Sequence, residues 1–153
     1  TALELGFRKR HNIPNANLAT ALPLTARAHF QALKAVIDQE LRPIIEVRNK
    51  LAHGQWARAL NNENTDFSAL HNQQIAAENA HTLRCKKRIL ESMAQLIHDL
   101  NAGNHAFERD FDRHYSKLEM ARISITSRSY QDWLNQMREK YRKGKDARTR
   151  SGQ

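Results

Sequence analysis

Apolar residues recur at spacings of three and four along almost the whole chain, and that period constrains the fold more than any other feature. A half-buried strand would need alternation at a period of two, which is nearly absent. Only 5 Gly and 3 Pro interrupt the pattern, and the prolines all lie at or before Pro43. The chain therefore reads as all-α. Its 153 residues suffice for one domain with a real core and fall short of two.

The period places the helices. Residues 1–23 hold Pro14, Pro23 and an Asn-rich stretch, and read as an irregular N-terminal arm. Thr25 is placed to cap a helix whose inner face is Phe30, Leu33, Ile37 and Leu41. Pro43 either kinks that helix or opens a new one, since a helix tolerates proline in its first turn. The stripe continues through Ile44, Val47 or Arg48, and Leu51, then stops at Gly54, a natural left-handed C-cap. Asn61–Asp66 is a loop. A long helix from Gln73 to Leu100 carries Leu83, Leu90, Met93, Ile97 and Leu100 on one face, with Gly103 past its end. A fourth helix, His105 to Met120, turns Phe107, Phe111 and Leu118 inward, and a fifth, Ser127 to Lys143, carries Tyr130, Trp133, Leu134, Met137 and Tyr141. Four or five amphipathic helices joined by short loops predict an up-and-down bundle over residues 24–143.

Charge narrows the partners. Lys and Arg number 25 against 16 acidic residues, a net charge of +9, which favours a polyanionic partner. More than half of that excess lies in Arg138–Gln153, where seven cations face only Glu139 and Asp146. Past Tyr141 no apolar residue exceeds Ala147 in size, so residues 144–153 read as a basic disordered tail, solvated or touching phosphates. Cys85 is the lone cysteine, which removes intramolecular disulfides and cysteine-based zinc modules and fits a reducing compartment. No apolar run reaches the ~18 residues of a membrane span, and no signal-peptide core opens the chain. A cytoplasmic location is expected, for a chain whose start at Thr1 reads as truncated or processed.

Several chemistries lack their residues. Glu78 and His81 form one Glu-x-x-His pair, where carboxylate-bridged di-iron bundles need two, and there is no His-Glu-x-x-His; no metal or other cofactor is expected. Phosphate-cradling glycine loops and the Gly-x-Ser-x-Gly elbow are absent from the sequence.

The segment Glu46-Val47-Arg48-Asn49-Lys50-Leu51-Ala52-His53-Gly54-Gln55-Trp56 stands out. Arg48 follows Ile44 by four residues and Leu41 by seven, which places it on the apolar stripe. A guanidinium there needs an anion or a carboxylate such as Glu46 or Glu40. In a continuous helix His53 sits about 140° around from Arg48, five steps of about 100° each. A helix ending at His53 would let it turn back toward Arg48. An imidazole beside a guanidinium, with Asn49 as orienter, suits phosphate transfer: imidazole exchanges protons near neutral pH, and Arg stabilises charge growing on a phosphorane.

Arg48-Asn49-x-x-x-His53, within Arg-Asn-Lys-Leu-Ala-His-Gly-Gln-Trp, resembles the Arg-polar-x(4–6)-His signature of the HEPN superfamily (higher eukaryotes and prokaryotes nucleotide-binding). The close match covers about a dozen residues around that signature. The resemblance implies an all-α bundle and, in many members, a metal-independent endoribonuclease of defence, toxin–antitoxin or RNA-processing systems. It implies Arg48 and His53 as the catalytic pair, Asn49 as support, and a homodimer whose protomers together compose the site. The expected reaction is attack of the RNA 2′-OH on the adjacent phosphate, giving a 2′,3′-cyclic phosphate and a 5′-OH. An antitoxin or other regulatory protein is a further partner it implies. Toxins of the superfamily silenced by nucleotidylation carry Tyr two residues after the His; this chain has Gln55.

A second match to the spacing, Arg109 to His114, ranks lower because Arg109 is two residues from Phe107 and from Phe111, hence on the solvent side. Lys50, Trp56, Arg84, Lys86 and Lys87 are candidate RNA contacts, with Trp56 able to stack on a base. Two rival readings are a non-catalytic HEPN-like module binding RNA or protein and a basic helical DNA-binding protein. No short helix–turn–helix pair supports the latter.

Overall fold

The computed structural model describes residues 1–53, 60, 65–102 and 105–151. In chain order the helices are α1 (Ala2–His11), α2 (Leu18–Ala21), α3 (Leu24–Val36), α4 (Arg42–Ala52), α5 (Ala69–Ala76), α6 (Ala80–Asn101), α7 (Ala106–Ser127) and α8 (Tyr130–Ser151), with a π turn at Ile37–Leu41 between α3 and α4. The chain is an all-α bundle, and the one β feature among the described residues is an antiparallel bridge between Leu60 and Phe67.

The expected irregular arm is helical. Thr1 caps α1 in a reciprocal box with Glu4, and Leu3 and Phe7, four residues apart, drive one face into the core. Asn12 closes α1 in the left-handed conformation (φ 52°), and Asn17 caps α2 through its side chain, accepting from the Ala19 N–H at 2.9 Å. Arg8 holds the connecting turn by donating to the carbonyls of Ile13, Pro14 and Ala16 at 3.2, 3.2 and 3.0 Å. The Pro/Asn content thus marks two helix ends and one turn. It does not mark a disordered segment.

The layers meet on α6 and α7, a long antiparallel pair, with α1 and α3 closing one side. Phe7 of α1 lies edge-on to Phe30 of α3 (5.4 Å) and to Phe107 of α7 (5.7 Å), and Phe107 lies edge-on to Phe111 (5.4 Å). Phe30, Leu33 and Val36 of α3, and Phe107, Phe111 and Leu118 of α7, are buried around them. Gly6 lets α1 approach α6, where a Cβ would lie 2.7 Å from Leu100 Cδ2.

Several helix boundaries and faces differ from the periodicity reading. Pro23 stands at the N-cap of α3 and Thr25 is already helical. Pro43 falls in the first turn of α4, just past the π turn: proline cannot donate to the carbonyl four residues back and crowds it, and a wider turn relieves that crowding. The long helix begins at Ala80, because Asn79 caps it by accepting from the N–H groups of His81 and Thr82 while Thr82 accepts from the Asn79 N–H at 2.9 Å. Its buried stripe is His81, Cys85, Ile89, Met93, Leu96 and Leu100, which leaves Leu83 (54% exposed) and Leu90 (39%) outside the core. On α8, Tyr130 and Tyr141 are exposed, and Trp133, Leu134 and Met137 are half-buried. The backbone of α8 continues past Lys143 to Ser151, across most of the expected tail. Gly54, Asn61 to Asn64 and Gly103 lie outside the described residues. Among the described residues no helix is long and apolar enough to cross a membrane.

Candidate functional site

The second half of α4 carries the candidate residues. Val47, at 6% exposed, takes the buried position, and Arg48 beside it is exposed. The expectation that Arg48 occupies the apolar stripe is therefore corrected: one residue of register, about 100° of helix, turns it outward. The carboxylates that might have neutralised it are directed elsewhere. Glu40 accepts from Arg122 at 2.8 Å, and Glu46 lies 3.8 Å from His71 Nε2. Arg48 instead donates from Nη1 to Asn49 Oδ1 at 3.1 Å, an exposed bond between sequence neighbours. Among the described residues Arg48 has no carboxylate partner.

His53 is exposed one residue beyond α4, and its N–H still donates to the Asn49 carbonyl at 3.1 Å. The backbone is thus helical in its bonding as far as His53, which keeps the two side chains about 140° apart around the axis. Among the described residues no bond joins Arg48 to His53. One chain presents the two groups at one helix end without closing them on each other.

Arg48 edges a groove of about 650 Å³ between α4, α5 and α6. Its walls are apolar: Ile44 and Val47 from α4, Ile75 from α5, and the outward Leu83 and Leu90 of α6. Lys86 and Lys87 line the same groove, so the structure brings two of the candidate RNA contacts to Arg48. Lys86 is ion-paired with Glu78, whose other oxygen accepts from the Thr82 hydroxyl at 2.9 Å; Lys87 is 3.6 Å from Glu91 in an exposed pair. Lys50 is half-buried in the last turn of α4. Trp56 lies outside the described residues.

Arg84 parts from the others. It lines a cavity between α6, α7 and α8 together with Arg88, one turn along. That cavity also contains His81, buried at 3% exposed, whose Nε2 lies 3.1 Å from the Ser124 carbonyl. Glu78 and His81 are thus committed to separate partners. Sequence reading missed Arg128 and Lys140 as neighbours of Arg84; they lie on other elements of the bundle, and no local spacing signals them.

The rival Arg109 to His114 pairing is an ion-pair ladder on α7. Arg109 donates to Asp110 at 2.7 Å and Arg113 lies 3.3 Å from the same carboxylate. The hydrogen bond from Arg109 holds the Asp110 carboxyl below its ordinary pKa.

Comparisons of the chain with protein-family models, with curated proteins and with solved structures returned no match.

Proposed function

We propose that the protein is a metal-independent endoribonuclease of the HEPN type, working as a homodimer in a defence or toxin–antitoxin setting. The observation that carries this reading is Arg48: an exposed guanidinium, oriented by Asn49, without a carboxylate partner among the described residues, at the rim of an apolar groove. A guanidinium held by a neighbour's amide, with no carboxylate partner among the described residues, suits a phosphate, two of whose oxygens its planar fork can meet with two donors.

The separation of Arg48 and His53 around α4 supports a composite site. In that site one protomer's His53 accepts the 2′-OH proton as the 2′ oxygen bonds to phosphorus. The P–O5′ bond breaks, and the partner's His53 returns a proton to the leaving 5′ oxygen. Arg48 neutralises the charge that grows on the non-bridging oxygens. Which of the two His53 side chains is acid and which base depends on the strand's direction across the two-fold axis. The apolar groove beside Arg48 is the surface that a second copy would cover, and an antitoxin or regulatory protein would act by competing for it.

The test is incubation with mixed cellular RNA in EDTA, beside His53→Ala and Arg48→Ala, with chemical analysis of the new ends. Cyclic-phosphate and 5′-OH ends made by the native chain and lost in both variants support the reading. Intact RNA with folded, dimeric protein overturns it and leaves a non-catalytic binding module.

A further inference from the structure

Four cations line the small cavity between α6, α7 and α8: Arg84 and Arg88 of α6, Arg128 between α7 and α8, and Lys140 of α8. Its volume is about 90 Å³, the scale of one phosphate group, and among the described residues no carboxylate lines it. On the same helices other cations are ion-paired, as Lys86 with Glu78, Lys87 with Glu91, Arg109 with Asp110 and Arg122 with Glu119. Among the described residues the four cations of the cavity have no such carboxylate partner. Arg84 Nη1 donates to the Met137 sulfur at 3.6 Å, and Arg128 Nη1 donates to the Gln136 side-chain oxygen at 2.9 Å. Four like charges converging without a counter-charge repel one another, and an anion seated among them reverses the sign of that interaction.

The cavity adjoins a ladder of rings. His81 stacks on Trp133 at 5.7 Å and 27°, and Trp133 on Tyr130 at 5.8 Å and 21°. The last ring, Tyr130, is 43% exposed and open to a further planar group. A basic seat beside an open aromatic face is the pairing that holds single strands, whose phosphates and base faces are both accessible. A duplex hides its base faces, and an acidic peptide gains little from the ring.

We propose that this cavity seats one phosphodiester of single-stranded RNA, with an adjacent base stacked on Tyr130. It takes its ligand class from the ribonuclease reading, but lies on the other side of α6 from the Arg48 groove and acts as a separate strand-holding site.

The experiment is fluorescence anisotropy of a labelled oligouridine of about ten nucleotides, titrated with the His53→Ala chain in EDTA at several salt concentrations. Arg84→Gln with Arg88→Gln is expected to weaken binding about tenfold or more. It should also flatten the log–log salt dependence by about 0.7, the slope of one lost phosphate contact on a single strand. Tyr130→Ser should cost about tenfold for the oligouridine and nothing for a duplex of equal length, and Tyr130→Phe should restore the loss. The control is Arg109→Gln with Arg113→Gln, which removes the same charge from α7. An equal loss in that control, an unchanged affinity in Tyr130→Ser, or no oligouridine binding by the folded chain overturns the proposal. Pocket variants that lose binding in a chain whose native form never cleaves RNA would remove the ribonuclease reading and keep this site. Full binding by the pocket variants of a chain that does cleave would do the reverse.

Discussion

Arg122 donates from Nε to Glu40 Oε1 at 2.8 Å, tying the last third of α7 to the π turn ahead of α4. The same guanidinium donates to Glu119 at 2.8 Å and to the Gln39 side-chain oxygen at 3.3 Å. Hydrogen bonds from Arg122 to Glu119 and then to Glu40 raise its pKa above the ordinary arginine value. The clamp ties down the turn ahead of α4 and commits Glu40, so that among the described residues Arg48, at the other end of the helix, has no carboxylate partner.

Breaking the clamp should loosen α4. Both Arg122 and Glu40 side chains are 27% exposed, so truncating one strands a partly desolvated carboxylate. Arg122→Ala should cost about 1–3 kcal/mol in urea unfolding. Arg122→Lys should recover only part of that, because a single ammonium does not reproduce the three-way fork. Full stability in Arg122→Ala would show that the clamp holds nothing.

Gly6 makes a second, steric prediction. An alanine Cβ there would lie 2.7 Å from Leu100 Cδ2 and 2.8 Å from Cγ, and Leu100 is too buried (2% exposed) to swing away. Overpacking costs about 1–3 kcal/mol, against a helix-propensity gain of about 1 kcal/mol. Gly6→Ala should therefore lower stability by about 1 kcal/mol. On a Leu100→Ala background the same change should be neutral or stabilising, a coupling that a double-mutant cycle measures.

Helix content and the inward face of α7 were legible because Phe107, Phe111 and Leu118 are the apolar residues on that face. The arm was misread because its ordering comes from caps and from Arg8 reaching three carbonyls, and such local polar bonds leave little trace in a hydrophobic pattern. On α6 two apolar stripes compete, and only packing against α7 decides that Ile89 goes in and Leu90 out. Arg48 and Val47 posed the same one-residue ambiguity. The motif itself was legible. Its exposure, and the partition of Arg84 from Lys86 and Lys87, needed the fold.

His29 gives a pH prediction. It stacks on Phe111 at 3.7 Å and meets Phe107 edge-on at 5.9 Å. Burial lowers its pKa below the ordinary value of 6.5, against a smaller opposing pull from Asp112 and Glu108. The unfolded chain then binds the proton more readily than the folded one. Stability from this group is complete above pH 6.5 and is lost as pH falls from there through the lowered folded value. Melting curves from pH 7.5 downward should show a fall that shrinks in His29→Gln; an identical fall in both chains would assign it to other groups.

The last prediction concerns the groove beside Arg48. Leu83 is 54% exposed on its floor, so a charge there should cost the monomer within about 0.5 kcal/mol. If a second copy covers the groove, Leu83→Glu sets a charge that must be desolvated against the partner's apolar surface and should shift sedimentation from dimer to monomer. RNA cleavage, which on the proposed mechanism needs groups from both protomers, should fall with it by tenfold or more. The comparison variant is Leu96→Glu at a fully buried position, which should unfold the chain outright. Mixing native chains with an excess of His53→Ala chains then reads the composite site directly: because the mechanism uses both His53 side chains, the mixed dimer should be inactive and cleavage should fall as native chains are drawn into it. A Leu83→Glu chain that remains dimeric and active would place the interface elsewhere on the bundle.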